Sequence, residues 1–130
     1  MYALDTNTLI FFFKGKGNVA RALLEVAPRD VAIPTVVLFE LEVGIAGSAR
    51  PEDRRNQLDE LLTVVTVLPF DARAARRSAM IRTELAAAGT PIGPMDVLIA
   101  GTALANDAIL VTHNREEFAR VRGLKTRDWF

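Results

Sequence analysis

Three carboxylates stand out from the other acids of this chain by where they fall. Asp5 follows a short apolar run, Tyr2-Ala3-Leu4. Glu40 lies in Val36 to Ala46, a stretch that is otherwise mostly apolar. Asp96 comes directly after Gly93-Pro94-Met95. Each has an ordinary alternative. Asp5, in Asp5-Thr6-Asn7-Thr8, can cap a helix. Asp96, in the first turn of a helix begun by Pro94, is favoured by the helix dipole whatever else it does. Glu40 can pair with an internal arginine. Yet a carboxylate in a helix that is apolar around its circumference is costly unless it is paired or holds a cation. Gly44, one turn further along the same face, leaves room beside it. Carboxylates gathered in one crevice repel one another, and a divalent cation removes that conflict. The chemistry to expect is that of a hard, oxygen-ligated ion such as Mg²⁺ or Mn²⁺. Such an ion lowers the pKa of bound water and stabilises charge growing on a phosphate.

Composition narrows the field in the same direction. The chain has 130 residues, half of them apolar, enough for one domain with one core. Its 16 basic and 16 acidic side chains cancel, so any attraction to nucleic acid must come from a local patch or from metal. There is no cysteine and a single histidine, His113, which excludes disulfides, thiolate chemistry and zinc held by cysteine or several histidines. His113 itself is expected to be exposed and without a role. The N-terminus lacks the basic and apolar regions of a signal peptide, and no apolar run approaches the ~20 residues of a membrane span. A cytoplasmic protein that does not enter the membrane is the expectation.

The elements that must position these acids can be read from punctuation and periodicity. Tyr2 to Leu4 reads as a strand and Thr6 to Phe13 as a buried helix, broken at Lys14-Gly15-Lys16-Gly17. A helix follows Asn18 and ends at Pro28; Val31 to Ile33 is a strand closed by Pro34. Val36 to Ala46 is helical, and Pro51-Glu52-Asp53 opens another helix. Val64 to Leu68 is β-branched and strand-like, Asp71 to Ala88 a long Ala/Arg helix stopped by Gly89, and Val97 to Ala105 a further helix. Ile109 to Thr112 is a strand, Glu116 to Phe118 one helical turn, and Leu124 to Trp129 a short last strand or tail. Strands separated by helices require crossovers, hence an α/β fold in one domain, with a parallel sheet of four or five strands covered on both faces. Sites in such sheets form beyond the carboxyl ends of the strands. Asp5 and Thr112-His113-Asn114 both fall there. Asn114, Glu116 and Glu117 are therefore further candidates. Arg73, Arg76 and Arg77 share one helical face, where an anionic backbone would relieve their mutual repulsion.

In order along the chain, Tyr2-Ala3-Leu4-Asp5-Thr6-Asn7, Pro34 to Gly44, Ile92 to Ala100 and Leu110-Val111-Thr112-His113-Asn114 resemble the segments of PIN-domain ribonucleases of the VapC toxin type. Gly123-Leu124 and Asp128-Trp129 also fit. No single motif is specific, but the ordered set is. The resemblance implies a PIN-like fold and a Mg²⁺- or Mn²⁺-dependent endoribonuclease acting on structured RNA such as tRNA. It implies Asp5, Glu40 and Asp96 as the catalytic, metal-holding acids, with Thr6 or Asn7 supporting Asp5. It also implies a VapB-type antitoxin partner that occupies the active site, and a homodimer. Many members carry Asp after the fourth strand, where this chain has Asn114. Glu116 or Glu117 would then supply the missing acid. A phosphatase of the haloacid dehalogenase type would want a second Asp where Asn7 stands, and a module that only binds RNA or protein has no need of three intact acids.

Overall fold

The computed structural model describes all 130 residues. Five strands form one parallel sheet in the order β3-β2-β1-β4-β5. They are β1 (Tyr2–Leu4), β2 (Val31–Pro34), β3 (Thr66–Leu68), β4 (Ile109–Val111) and β5 (Thr126–Arg127). Between them run α1 (Thr6–Lys14), α2 (Val19–Leu24), α3 (Thr35–Ala46), α4 (Pro51–Leu62), α5 (Ala72–Ala87), α6 (Pro94–Ala105) and the single turn α7 (Arg115–Phe118). The α/β expectation holds.

Central strands β1, β2 and β4 supply the middle of the core. Leu4, Ile33, Leu110 and Val111 are fully buried, and Leu9, Val37 and Ile99 pack on them from α1, α3 and α6. Such apolar runs are what a parallel strand covered on both faces requires. β1 lies between β2 and β4, with Tyr2 opposite Val31 on one side and Ile109 on the other. The chain thus leaves β1 toward one edge of the sheet and later returns to its other side. The switch point of the topology is the gap beyond the carboxyl ends of β1 and β4, where ligand crevices form in open α/β sheets.

Two strands are shorter than the sequence suggests. Val64 and Val65 are drawn into the turn that ends α4, donating to the Leu61 carbonyl at 3.1 and 3.2 Å, so β3 begins only at Thr66. Their β-branched side chains favour a strand, but the helix's unsatisfied last carbonyls claim their N–H groups. At the other end only Thr126–Arg127 pairs with β4, while Trp129 packs against Tyr2 with ring centroids 5.2 Å apart.

α5 and α6 form an antiparallel hairpin in very close contact. A Cβ placed on Gly101 would lie 1.9 Å from the Ser78 hydroxyl and 2.8 Å from its backbone nitrogen, so the crossing exists only because position 101 has no side chain. Ser78 Oγ is buried there without a hydrogen-bond partner.

Candidate active site

Asp5 is both cap and acid. It is the N-cap of α1, with extended backbone (φ −80°, ψ 173°), and its Oδ1 accepts the Thr8 N–H at 2.9 Å. Its own N–H donates to the Val111 carbonyl at 3.1 Å, which ties the cap to β4. The residue is only 5% exposed. Burial pushes its carboxyl above the usual range, and hydrogen bonding from Thr112 and Thr8 holds it back in part. The support expected from Thr6 or Asn7 comes instead from these two buried threonines. Asn7 is exposed, and the Thr6 hydroxyl is engaged elsewhere.

That engagement is with Glu40. Thr6 Oγ1 donates to Glu40 Oε1 at 2.6 Å, across the contact of α1 with α3. Glu40 is half-buried, not sealed in the core. One turn of α3 away from its buried face, Phe39 and Val43 are exposed, so the apolar circumference of this helix overstated its burial. The arginine partner considered for Glu40 belongs to Glu42, which pairs with Arg55 of α4 through both carboxylate oxygens.

Asp96 stands in the first turn of α6, half-buried, beside Glu117 of α7. Its carboxyl is pushed up to about 7, first by desolvation, then by the charge of Glu117 and a hydrogen bond shared with it, and further by Glu40 and Asp5. Gly93 makes this pairing possible. Its N–H donates to Glu117 Oε1 at 3.0 Å, and a Cβ there would sit 3.2 Å from Asp96 Oδ2 and 3.8 Å from Glu117 Oε1. Asn114 completes the support: its side-chain amide donates to Glu117 Oε2, and its backbone N–H donates to Thr112 Oγ1 at 3.0 Å.

Of the residues singled out from sequence, Glu117, Glu40 and Asp5 lie near enough to Asp96 at the switch point for their charges to push its carboxyl up, and Asn114 orients Glu117. Glu116 is exposed and outside this group. Arg73, Arg76 and Arg77 are exposed as well, but on the far part of the α5–α6 hairpin. Arg73 donates to Asn106 Oδ1 at 3.5 Å, at the C-cap of α6. From Asp96 to that cap the helix axis covers roughly 15 Å. These arginines do not join the acid site. His113 is not idle either: Nδ1 lies 2.9 Å from Asp128 Oδ2, and its ring packs against Phe130 and Phe11. Thr8, Thr112 and Gly93 are the residues that sequence reasoning passed over. A threonine ending the apolar Ile109-Leu110-Val111 run was the available signal.

The donor set fits a hard divalent cation. It offers carboxylate oxygens, the neighbouring acids help push the Asp96 and Asp5 carboxyls up, and Gly93 leaves open the space beside Asp96 and Glu117. No three are already drawn into a ready-made cage. That suits an ion such as Mg²⁺, which keeps several waters and is held by few protein oxygens.

Comparison with known proteins identifies the family. Residues 2–124 match the family model of the PIN domain. The chain belongs to the PIN domain family. Among members of this family, it is 40% identical to the tRNA(fMet)-specific endonuclease VapC of Shigella flexneri, over 98% of this chain and 97% of that protein. It is 34% identical to ribonuclease VapC2 of Rickettsia felis, over 99% and 98%. The solved VapBC2 complex of R. felis on a promoter DNA fragment superposes with a TM-score of 0.92 at 34% identity, covering 99% of this chain and 98% of that one. The DNA-bound VapBC of Salmonella typhimurium gives the same TM-score at 35% identity and the same coverage. Within the PIN family this chain is therefore of the VapC ribonuclease type.

Proposed function

We propose that this chain is the ribonuclease toxin of a toxin–antitoxin pair, a Mg²⁺- or Mn²⁺-dependent endonuclease that cuts tRNA. The observation that carries the proposal is the convergence of Asp5, Glu40, Asp96 and Glu117 at the sheet's switch point. Asp5, Glu40 and Asp96 would hold the ion, with Glu117 beside them. When bound, it would supply an activated water and stabilise charge on the phosphate being cut.

The chain's own residues do the rest. Thr8 and Thr112 fix the Asp5 carboxylate, Thr6 fixes Glu40, and Asn114 with the Gly93 N–H fixes Glu117. Without metal the Asp96 carboxyl is pushed up to about 7 beside Glu117, and a bound cation would favour its ionised, metal-holding form. Asn114 brings no charge, and Glu117, which it orients, would fill the fourth acidic position.

The relatives' names supply the substrate class, tRNA, and the complexes supply the partner, a VapB-type antitoxin. A cytoplasmic location and a homodimer belong to the same proposal. No helix is long and apolar enough to cross a membrane, and Phe39 and Val43 offer an exposed apolar face on α3.

The test is expression of wild type beside Asp96→Asn, followed by incubation of each purified protein with initiator methionine tRNA and Mn²⁺. Growth arrest and discrete fragments from wild type alone, abolished by chelator, are expected. A harmless wild type that cuts no RNA with either metal would leave a binding module in place of an enzyme.

A further inference from the structure

Glu40 belongs to two places at once. One side meets the acid site through Thr6, and the other forms a wall of a cavity of about 300 Å³ between α1, α3 and α4. That volume is at the lower end of those that hold small ligands. The floor is apolar, made by Ile10, Phe13 and Leu41. Lys14 and Arg54 line it too, and neither forms an ion pair. The Arg54 guanidinium is held in place by the Phe13 carbonyl at 3.2 Å and Gln57 Oε1 at 2.8 Å.

Gly44 supplies the second observation. It lies within α3 on the cavity wall, where glycine disfavours the helix. Nothing lies within 4 Å of where its Cβ would be. No packing inside the chain calls for glycine there, and a longer side chain on this wall would narrow the cavity.

We infer that this cavity is a substrate subsite, taking the unpaired nucleotide next to the cut with its base on the apolar floor and its phosphate toward Lys14 and Arg54. The inference rests on the ribonuclease reading and adds to it where the RNA is read. Charge complementarity and continuity with Glu40 select a nucleotide over a neutral apolar group. A base reaches such a floor only when it is unstacked, so the cut falls in a loop or bulge and not within a duplex.

The test measures Mn²⁺-dependent cleavage of fluorescently labelled initiator methionine tRNA by wild type, Lys14→Ala and Gly44→Leu. Lys14→Ala and Gly44→Leu are expected to raise KM roughly tenfold with kcat nearly unchanged. Lys14→Ala should also flatten the salt dependence of binding by about 0.7 in log–log slope. An abasic nucleotide beside the cut should erase the difference between wild type and Gly44→Leu. Thermal melts identify a Gly44→Leu chain that has merely unfolded, in which case Lys14→Ala decides. If wild type cuts and the folded variants cut equally well, the subsite is overturned. Loss of antitoxin affinity alone would then assign the cavity to the protein partner. If wild type cuts nothing, the ribonuclease reading itself fails, and this one with it.

Discussion

The Thr6 hydroxyl and the Glu40 carboxylate, on two helices far apart in sequence, meet at 2.6 Å. The bond locks the start of α1 to the second turn of α3 and fixes which way Glu40 faces. Thr6→Val keeps the shape and removes the donor. Cleavage is expected to fall by roughly 10- to 100-fold, the usual effect of losing a group that orients a metal ligand, the role proposed for Glu40. Thermal stability should change little. A variant with full activity would show that Glu40 needs no such orientation.

Asp96→Asn removes the acid whose charge is most opposed by its neighbours. Activity should drop by roughly 10²- to 10⁴-fold. The folded protein should be unchanged or more stable in the absence of metal, because Glu117, Glu40 and Asp5 lose a repelling partner. Circular dichroism with a cleavage assay separates the two effects. Joint loss of fold and activity would make Asp96 a structural residue of the α6 first turn.

Stability without metal should fall as pH rises. The folded state holds the Asp96 proton up to about 7, whereas the unfolded chain releases it near 3.8. Between those values the folded state binds more protons, so unfolding is favoured increasingly as pH climbs through the window. Asp5, also raised, acts in the same direction. The measurement is the melting temperature at about pH 5 and about pH 8 in chelator. The decrease should shrink in Asp96→Asn and on addition of Mg²⁺. An equal decrease in wild type and variant would assign the effect to other groups.

The α5–α6 crossing gives a pair of opposite expectations. Gly101→Ala must force the helices apart and should cost about 1–3 kcal/mol. Ser78→Ala removes a buried hydroxyl with no partner and should stabilise by about 1 kcal/mol. Denaturant unfolding of both variants checks the signs.

Much of this arrangement is legible in the residues alone, for different reasons at different places. Tyr2-Ala3-Leu4 before Asp5 and Ile109-Leu110-Val111 before Thr112 announce buried strands and what lies past their ends. Gly93-Pro94 announces the start of α6 beside Asp96. Which of Asn114, Glu116 and Glu117 completes the site is not legible, because one helical turn decides it: α7 turns Glu117 inward and Glu116 out. Where the arginines of α5 lie relative to the acids is not legible either, because a shared helical face says nothing about which end of a hairpin it occupies. Thr8 and Thr112 escape notice because a buried threonine looks like any other β-branched core residue until its hydroxyl's partner is seen.

The double duty of Asp5 has a consequence for how such a protein is lost. Asparagine caps a helix about as well as aspartate. A single exchange at this position keeps the Thr8 bond and the fold while removing the negative charge. With Asp5 in the role proposed for it, such an exchange would cost activity while keeping the Thr8 cap, and the inert chain would keep the surfaces that a partner recognises. In a cell making both forms, the Asp5→Asn chain would act as a decoy, drawing inhibitor away from the active enzyme and shifting the threshold at which growth stops.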